Sequence, residues 1–274
     1  MSAFERPNFG SVPPVVKNLI IINVIMLLAT WVTENVFHTD LNAVLGLYYF
    51  GSEHFKPFQI VTHMFMHGGI AHLFFNMFAL WMFGRVLEQV WGSKRFLIYY
   101  FVTGIGAAAL HTLVNYISIT NIQSAATAML NTPSPETFSA FVTKHFQPFY
   151  NDLYDKFISA WSDNPNNPTY IQYAEEYTRQ LIQYQMNIPT VGASGAVFGV
   201  LLAFGMLFPN TELMLLIPPI PIKAKWFVTI YGGIELWLGL TQPGSNIAHF
   251  AHLGGMLFGF ILIKYWSRRK DIFY

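Results

Sequence analysis

A serine and a histidine that could together perform acyl transfer lie in two segments far apart along the chain. Ser194 belongs to Gly192–Gly199, a run of small residues at the predicted start of a helix. Free backbone N–H groups and the positive end of the helix dipole could there stabilise an oxyanion, although such a helix start more often serves packing alone. His252 opens a second predicted helix, and Gly255 and Gly259 follow almost on its helical face, which would allow close approach to a neighbouring helix. If that neighbour carries Ser194, the imidazole of His252 could serve as the base that a serine hydroxyl requires.

A third segment, Thr62–Asn76, is rich in histidine. His72 and Asn76 are four residues apart and therefore share one helical face. His63 and His67 have the same spacing and, together with His72, raise the alternative of a metal site. Apolar residues occupy the positions between His63 and His67, so the Glu of a zinc-protease His-Glu-x-x-His motif is absent, and no thiolate or carboxylate lies nearby. We therefore predict no metal and no cofactor.

The composition of the chain indicates a membrane protein. Of 274 residues, 53% are hydrophobic and only 11% are charged, whereas soluble domains carry roughly a quarter charged residues. This composition excludes a disordered chain, a soluble enzyme and a nucleic-acid-binding protein. The absence of cysteine excludes disulfides, thiolate metal ligands and a cysteine nucleophile.

Uncharged stretches near the ~20 residues that a bilayer requires predict an all-α, polytopic bundle of six transmembrane helices. The predicted spans are 18–36, 60–83, 96–117, 191–208, 226–240 and 247–263. They divide the chain into a cytoplasmic N-terminal segment 1–17, transmembrane helices 1–3 with the first extracytoplasmic loop at 18–120, an extracytoplasmic helical insert at 121–189, transmembrane helices 4–6 at 190–264, and a basic cytoplasmic tail at 265–274.

The basic residues predict the orientation, because cytoplasmic flanks keep Lys and Arg. Most of them fall on the side of the two termini: Arg6, Lys17, Arg85, Lys94, Arg95, Lys223, Lys225, Lys264, Arg268, Arg269 and Lys270. Lys56, Lys144, Lys156 and Arg179 fall on the other side. We therefore expect both termini in the cytoplasm and the active site open to the extracytoplasmic side, most simply in a bacterial plasma membrane.

The insert at 121–189 differs from the rest of the chain by its many charged residues. Ser134-Pro135-Glu136 and the segment ending in Pro168 resemble helix starts with proline in the first turn. Aromatic residues recur at helical spacing after each start. Two alternatives follow: a helical hairpin that packs on itself, or one that lies on the outer leaflet, where Tyr and Trp are favoured, and shields the mouth of a site.

The three segments, taken together and in this order, resemble the rhomboid family of intramembrane serine proteases. The similarity consists of the His72/Asn76 pair, the Gly-x-Ser-Gly sequence at Gly192–Gly195, and the Ala-His-x-x-Gly-x-x-x-Gly sequence at Ala251–Gly259. The segment from Gly84 to Gly92 also matches, and Glu88 within it is expected to have a structural role. Phe58-Gln59 departs from the family, where many relatives carry Trp-Arg, and we expect changed stability there.

The resemblance implies a role for each residue. Ser194 would be the nucleophile and His252 the base of a dyad without an acidic third member. His72, Asn76 and the backbone N–H of Ser194 would form the oxyanion hole. Phe198 would pack against the His252 ring, and Gly192 would also support the site. His63 and His67 would shape the connection between spans one and two and hold water, and His249 would be an entrance residue or a rival base. Glu235 in span five is expected to bond a neighbouring helix or face a wet cavity.

The resemblance also implies a substrate class: membrane proteins with helix-destabilising residues in or near a transmembrane segment, entered past span five and the loop Gln242–Ser245. No nucleic-acid partner is expected. Two other functions stay open: a catalytically inactive, rhomboid-like membrane chaperone or adaptor, and, less favoured because no inverted repeat is evident, a channel or transporter.

Overall fold

The computed structural model describes residues 12–214, 219–242 and 248–268. It divides into two compact units: the first comprises residues 1–47, 56–112 and 189–274, and the second comprises 48–55 and 113–188. Several parts of the sequence predictions lie outside the described residues: residues 1–11, Pro243–Ser245 of the predicted entry loop, Ile247 and the basic tail after Arg268.

The fold consists almost entirely of helices. They are α1 (Pro14–Phe37), α2 (Leu41–Leu45), α3 (Gln59–Thr62), α4 (Ile70–Ala79), α5 (Arg85–Trp91), α6 (Ser93–Asn131), α7 (Pro135–His145), α8 (Tyr150–Leu153), α9 (Ser159–Asp163), α10 (Pro168–Met186), α11 (Ser194–Leu207), α12 (Ala224–Thr241) and α13 (His249–Arg268). Two short antiparallel strands, β1 (Glu212–Met214) and β2 (Pro221–Lys223), pair between α11 and α12, with Leu213 opposite Ile222. The predicted all-α class is confirmed.

Three helices of the described residues are both long and apolar enough to cross a membrane: α1, the continuous stretch Ile70–Trp91, and α6. The apolar helix α11 is shorter. Helices α12 and α13 have spanning length, but they carry charged or imidazole groups that reduce their mean hydropathy. Glu235 in α12 and His249 and His252 in α13 are such groups, and Lys225, Lys264 and Arg268 are the others.

The predicted second span is wrong at both ends. Residues 59–65 form α3 and a 3₁₀ turn, four non-helical residues that end in two glycines follow, and the spanning helix begins only at Ile70. It continues through one π-helical segment, Leu80–Gly84, into α5 and ends at Trp91. Gly92 has a φ of 76°, in the left-handed region where glycine is favoured, which explains why the helix stops there.

The helix that contains the third predicted span is longer than that span. Helix α6 has 39 residues, equivalent to about 58 Å at 1.5 Å per residue, and a hydrocarbon core is only ~30 Å thick. Its residues up to Thr112 belong to the first unit and its remainder to the second. The first eleven residues of the predicted insert therefore continue the helix that precedes them instead of forming a loop.

Small residues let the helices of the first unit touch at the backbone. A Cβ atom at Gly255 of α13 would lie 1.8 Å from the carbonyl oxygen of Gly195 in α11. A Cβ at Gly199 would lie 2.6 Å from Thr103 of α6, and one at Gly195 would lie 2.3 Å from Ala107. Side-chain bulk at any of these positions would force the helices apart.

Buried Glu88 completes the hydrogen bonding at the start of α1. Its two carboxylate oxygens accept hydrogen bonds from the backbone N–H groups of Val15 and Val16, at 2.9 and 2.8 Å. Ser93 Oγ donates a third bond to the same carboxylate. These N–H groups lie in the first turn of α1, where no helical carbonyl is available and negative charge is favoured.

The second unit has an aromatic core of its own. Phe138, Trp161 and Ala174 are fully buried, and the Phe157 ring packs 5.4 Å from that of Trp161. Both predicted helix starts are present: Ser134 Oγ accepts from the N–H of Thr137 before α7, and Asn167 Oδ1 accepts from the N–H of Thr169 before α10. Burial of this aromatic stripe agrees with packing of the insert on itself.

Candidate active site

Ser194 and His252 meet at the starts of two helices in the first unit. Ser194 is the first residue of α11, and His252 lies in the first turn of α13. The close approach of Gly255 to Gly195 brings these two helix starts together. As a result, Ser194 Oγ lies 2.9 Å from His252 Nε2, a hydrogen-bonding distance.

A carboxylate lies on the other side of the imidazole, contrary to the predicted dyad without an acid. Glu235 of α12 is only 4% exposed, and its Oε2 lies 2.9 Å from His252 Nδ1. The same oxygen lies 2.7 Å from Nδ1 of His249. The prediction failed because it considered acids only within the three motif segments, whereas Glu235 comes from a fourth helix.

An aromatic pair supports the face of the imidazole. The Phe198 ring, one turn after Ser194, stacks on His252 with centroids 4.1 Å apart and an interplanar angle of 5°. Tyr231 of α12 packs against Phe198 with its ring centroid 4.9 Å away. The geometry matches the arrangement expected for Phe198 and adds Tyr231, which the sequence analysis did not identify.

His72, one of the predicted oxyanion residues, lies beside the serine. A Cβ atom at Gly192 would lie 2.9 Å from His72 Nε2 and 3.6 Å from Ser194 Oγ, so both side chains border the same point. Gly68 N–H approaches His72 Nδ1 at 3.4 Å, which favours the tautomer with a proton on Nε2. Asn76 is buried, and its Nδ2 donates one hydrogen bond to the carbonyl of His72. A second N–H of that amide is therefore available to a ligand.

The loop before Ser194 passes close to the His72 ring, and this approach requires glycine at position 192. Its φ of 130° lies in the left-handed region, and any side chain would meet the His72 ring. The Gly192 N–H donates to the carbonyl of His63 at 2.9 Å, which ties this loop to the short helical segment before α4. Gly192 thus positions Ser194 relative to His72.

The remaining histidines of the segment Thr62–Asn76, His63 and His67, are both buried. His63 is buried, and its Nδ1 lies 2.8 Å from the carbonyl oxygen of Gln59. Gln59, at the position of departure from the family, is also buried, and its amide bonds the backbone of Val44 and Lys56. His67 is 1% exposed, packs 5.0 Å from the His72 ring, and has no hydrogen-bond partner on either ring nitrogen within the described residues.

The described residues contain one group of three side chains whose ligand atoms could surround a metal ion: Glu235, His249 and His252. It differs from the His63/His67 pair considered from the sequence. The three ligand atoms are the ones already joined by hydrogen bonds, and His249 Nε2 is buried without a partner in this part of the chain. A metal on His252 Nδ1 would leave the proton on Nε2, which would prevent that nitrogen from accepting the serine proton.

Glu235 was detectable in the sequence, although its partners were not. An ionisable residue inside an apolar span is a functional candidate because it must find a partner there. Glu235 is 14 and 17 residues from the two histidines, and the loop between α12 and α13 separates them. Helical periodicity therefore could not predict the contact. Only the packing of these two helices reveals the contact.

Comparison with known proteins identifies a family that the sequence matches. The Rhomboid domain model matches residues 54–124 and 169–269. The rhomboid protease GluP of Bacillus subtilis is 47% identical over 47 residues, which cover 17% of this chain and 9% of that protein. Rhomboid protein 1, mitochondrial, of Saccharomyces cerevisiae is 35% identical over 83 residues, which cover 30% of this chain and 24% of that protein.

A longer match extends over most of the chain. An uncharacterised mitochondrial rhomboid protein of Schizosaccharomyces pombe is 26% identical over 219 residues, which cover 77% of this chain and 52% of that protein. The matched region covers about half the length of this relative and less than a quarter of the length of each of the other two. The family model matches more than half of the chain and includes every motif segment described above. The chain is therefore an integral membrane protein that belongs to the Rhomboid family.

Proposed function

We propose that the chain is an intramembrane serine endopeptidase that cleaves peptide bonds in or near transmembrane segments of membrane proteins. The observation that carries this proposal is the 2.9 Å distance between Ser194 Oγ and His252 Nε2 at the start of α11. An inactive adaptor would have no need for a hydroxyl aligned with an imidazole, and a channel would have no need for an oxyanion pocket beside it.

In the proposed mechanism, His252 Nε2 removes the proton of Ser194 as Oγ attacks the scissile carbonyl carbon. The oxyanion that forms accepts hydrogen bonds from His72 Nε2–H, Asn76 Nδ2–H and the backbone N–H of Ser194. His252 then protonates the leaving amine, the C–N bond breaks, and an acyl-enzyme remains on Ser194. Water, activated by His252, hydrolyses the ester and releases the second product.

Substrate choice follows from the chemistry of a helix. A peptide bond inside a transmembrane helix is protected by its hydrogen bonds, so the substrates we propose contain Gly, Pro or polar residues that allow local unwinding. We also propose that both termini face the cytoplasm and that the site opens to the opposite side. The relatives come from Bacillus subtilis and from mitochondria, and a bacterial plasma membrane stays a prediction.

Reconstituted protein in liposomes with a fluorescent single-pass substrate tests the proposal. Ser194→Ala and His252→Ala should each abolish detectable cleavage while the protein stays folded. Two matched variants, Ser267→Ala at the exposed end of α13 and His145→Ala at the end of α7, should cleave at the wild-type rate. Cleavage that survives in Ser194→Ala would refute the serine mechanism.

Chelators provide a second arm of the same experiment. The serine mechanism predicts that EDTA and phenanthroline leave the rate unchanged. Cleavage that stops with chelator and returns with zinc would instead support a metal-dependent hydrolase at Glu235, His249 and His252, the group whose ligand atoms lie within 4.8 Å of one another.

A further inference from the structure

We propose that Glu235 is a positioning residue for the base, so that Ser194, His252 and Glu235 work together as a triad within the bilayer. This inference rests on the serine mechanism proposed above. It assigns a catalytic purpose, in its ionised form, to an acidic side chain on α12, a helix that none of the three sequence motifs includes.

Hydrogen bonding by the carboxylate determines which nitrogen of His252 carries the proton. An ionised carboxylate can only accept hydrogen bonds, so the Nδ1 that lies 2.9 Å from Glu235 Oε2 must be protonated. In the neutral ring, Nε2 then has a free lone pair, and it lies 2.9 Å from Ser194 Oγ. Glu235 therefore selects the tautomer that can accept the serine proton.

The same carboxylate acts again during catalysis. When the serine proton moves to Nε2 and Oγ forms its bond to the substrate carbon, His252 becomes an imidazolium cation. The negative charge of Glu235 lies against that cation and is only 4% exposed, so little water screens their attraction. The proton returns to the leaving nitrogen, and Glu235 keeps its charge throughout.

Glu235 is itself held in position from a second direction. His249, one helical turn before His252, has its Nδ1 2.7 Å from the same oxygen. A simple contact between two helices would need one such bond. Here one carboxylate oxygen accepts from both histidines of the first turn of α13, which keeps the oxygen in line with the imidazole of the base.

Helix α12 supports the base in two ways. Glu235 contacts the edge of the His252 ring, and Tyr231, one turn earlier, packs on Phe198, whose ring stacks on the face of His252. A displacement of α12 would remove both supports at once. The position of this helix and the competence of the base are therefore coupled.

Glu235→Gln tests the positioning role because the amide keeps the size of the side chain but removes its charge. We expect kcat to fall at least about 100-fold, toward the ~10⁴-fold that neutralising the orienting carboxylate costs in a serine-protease triad, with KM within threefold of wild type. Glu88→Gln is the matched control, since Glu88 is also a buried acid of the same unit but lies away from the serine. It should lower thermal stability and leave kcat of the folded protein unchanged.

Two further measurements test the positioning role even if the glutamine variant fails to fold. Glu235→Asp retains the charge one methylene farther back, and its kcat should lie between those of wild type and Glu235→Gln or, if that variant is unfolded, threefold to tenfold below wild type. In ¹⁵N-histidine-labelled wild-type protein, a far-downfield Nδ1 proton of His252 should be present, as expected for an imidazole bound to a carboxylate, and it should persist in Glu88→Gln.

Several results would overturn the positioning role: a folded Glu235→Gln variant with kcat within threefold of wild type, an aspartate variant no better than the glutamine variant, or no downfield proton in the wild type. Failure of the serine mechanism has a different signature, because cleavage would then survive in Ser194→Ala. The two failures are thus distinguishable in one set of proteins.

Discussion

The two units of the molecule hold their helices together by different means. In the first unit, glycine backbones touch neighbouring helices, as Gly255 touches Gly195, and polar groups such as Glu235 and His252 are paired in the interior. In the second, bulky rings such as Phe138 and Trp161 fill a core between helices that begin with side-chain caps. Both units also bury aromatic rings, Tyr99 and Tyr100 in the first among them, but residues 113–188 contain no glycine, so the helices there do not meet through glycine backbones.

The difference follows from the surroundings that the sequence predicts for each unit. Lipid tails are as apolar as leucine, so helices in a bilayer gain little from burying apolar side chains and rely on close packing and hydrogen bonds. In water, burial of large aromatic side chains is itself the main driving force. A substitution at a glycine contact of the first unit should therefore act through steric clash, and a truncation in the aromatic core of the second unit should act through lost apolar volume.

The largest effect is expected for Gly255→Leu. Its Cβ alone would lie 1.8 Å from the carbonyl oxygen of Gly195, so α13 must move away from α11 and carry His252 with it. We expect no detectable cleavage and no labelling by a serine-directed fluorophosphonate. Gly233→Leu is the control, because no atom lies within 4 Å of a Cβ at that position; it should retain activity, and equal loss in both variants would refute the argument.

Trp161→Ala should have the next largest effect, confined to the second unit. Removal of a fully buried indole typically costs ~3–5 kcal/mol. Hydrogen exchange should therefore accelerate in α7, α9 and α10, while the rate of fluorophosphonate labelling stays within threefold of wild type. Loss of labelling in parallel with exchange would show that the second unit is required to maintain the serine site.

Gly192→Ala should have a moderate effect on catalysis. The added methyl group would lie 2.9 Å from His72 Nε2 in a backbone conformation that alanine disfavours, and we expect kcat to fall about 10- to 100-fold through displacement of an oxyanion donor. Gly233→Ala should be neutral. Wild-type kcat in Gly192→Ala would show that His72 is not part of the oxyanion hole.

Ser134→Ala should have the smallest effect. It removes the N-terminal cap of α7, a change that costs ~1 kcal/mol in other helices. Ser134 Oγ also donates to the Glu136 carboxylate and keeps the pKa of that exposed group below its usual value. Faster exchange should be limited to the first turn of α7, with cleavage unchanged; no change in exchange would contradict the capping role.

Much of this architecture could be read from the sequence because the signals were local. Ser134, Pro135 and Pro168 predicted two helix starts of the second unit. The motifs around Ser194 and His252 identified the two residues that the fold brings together. The start of the second spanning helix was missed because the apolar residues 60–66 resemble a span, although the glycines after them end the segment. Glu235 was noted, but its role depends on the packing of α12 against α13, which no spacing encodes.

The most direct test of the account is to label the reconstituted protein with a fluorophosphonate and map the modified residue by mass spectrometry. The account predicts one adduct, on Ser194, that is absent from Ser194→Ala and formed far more slowly in His252→Ala. An adduct on another residue, or no adduct on folded wild-type protein, would contradict the claim that two helix starts meet to form a serine nucleophile and its base.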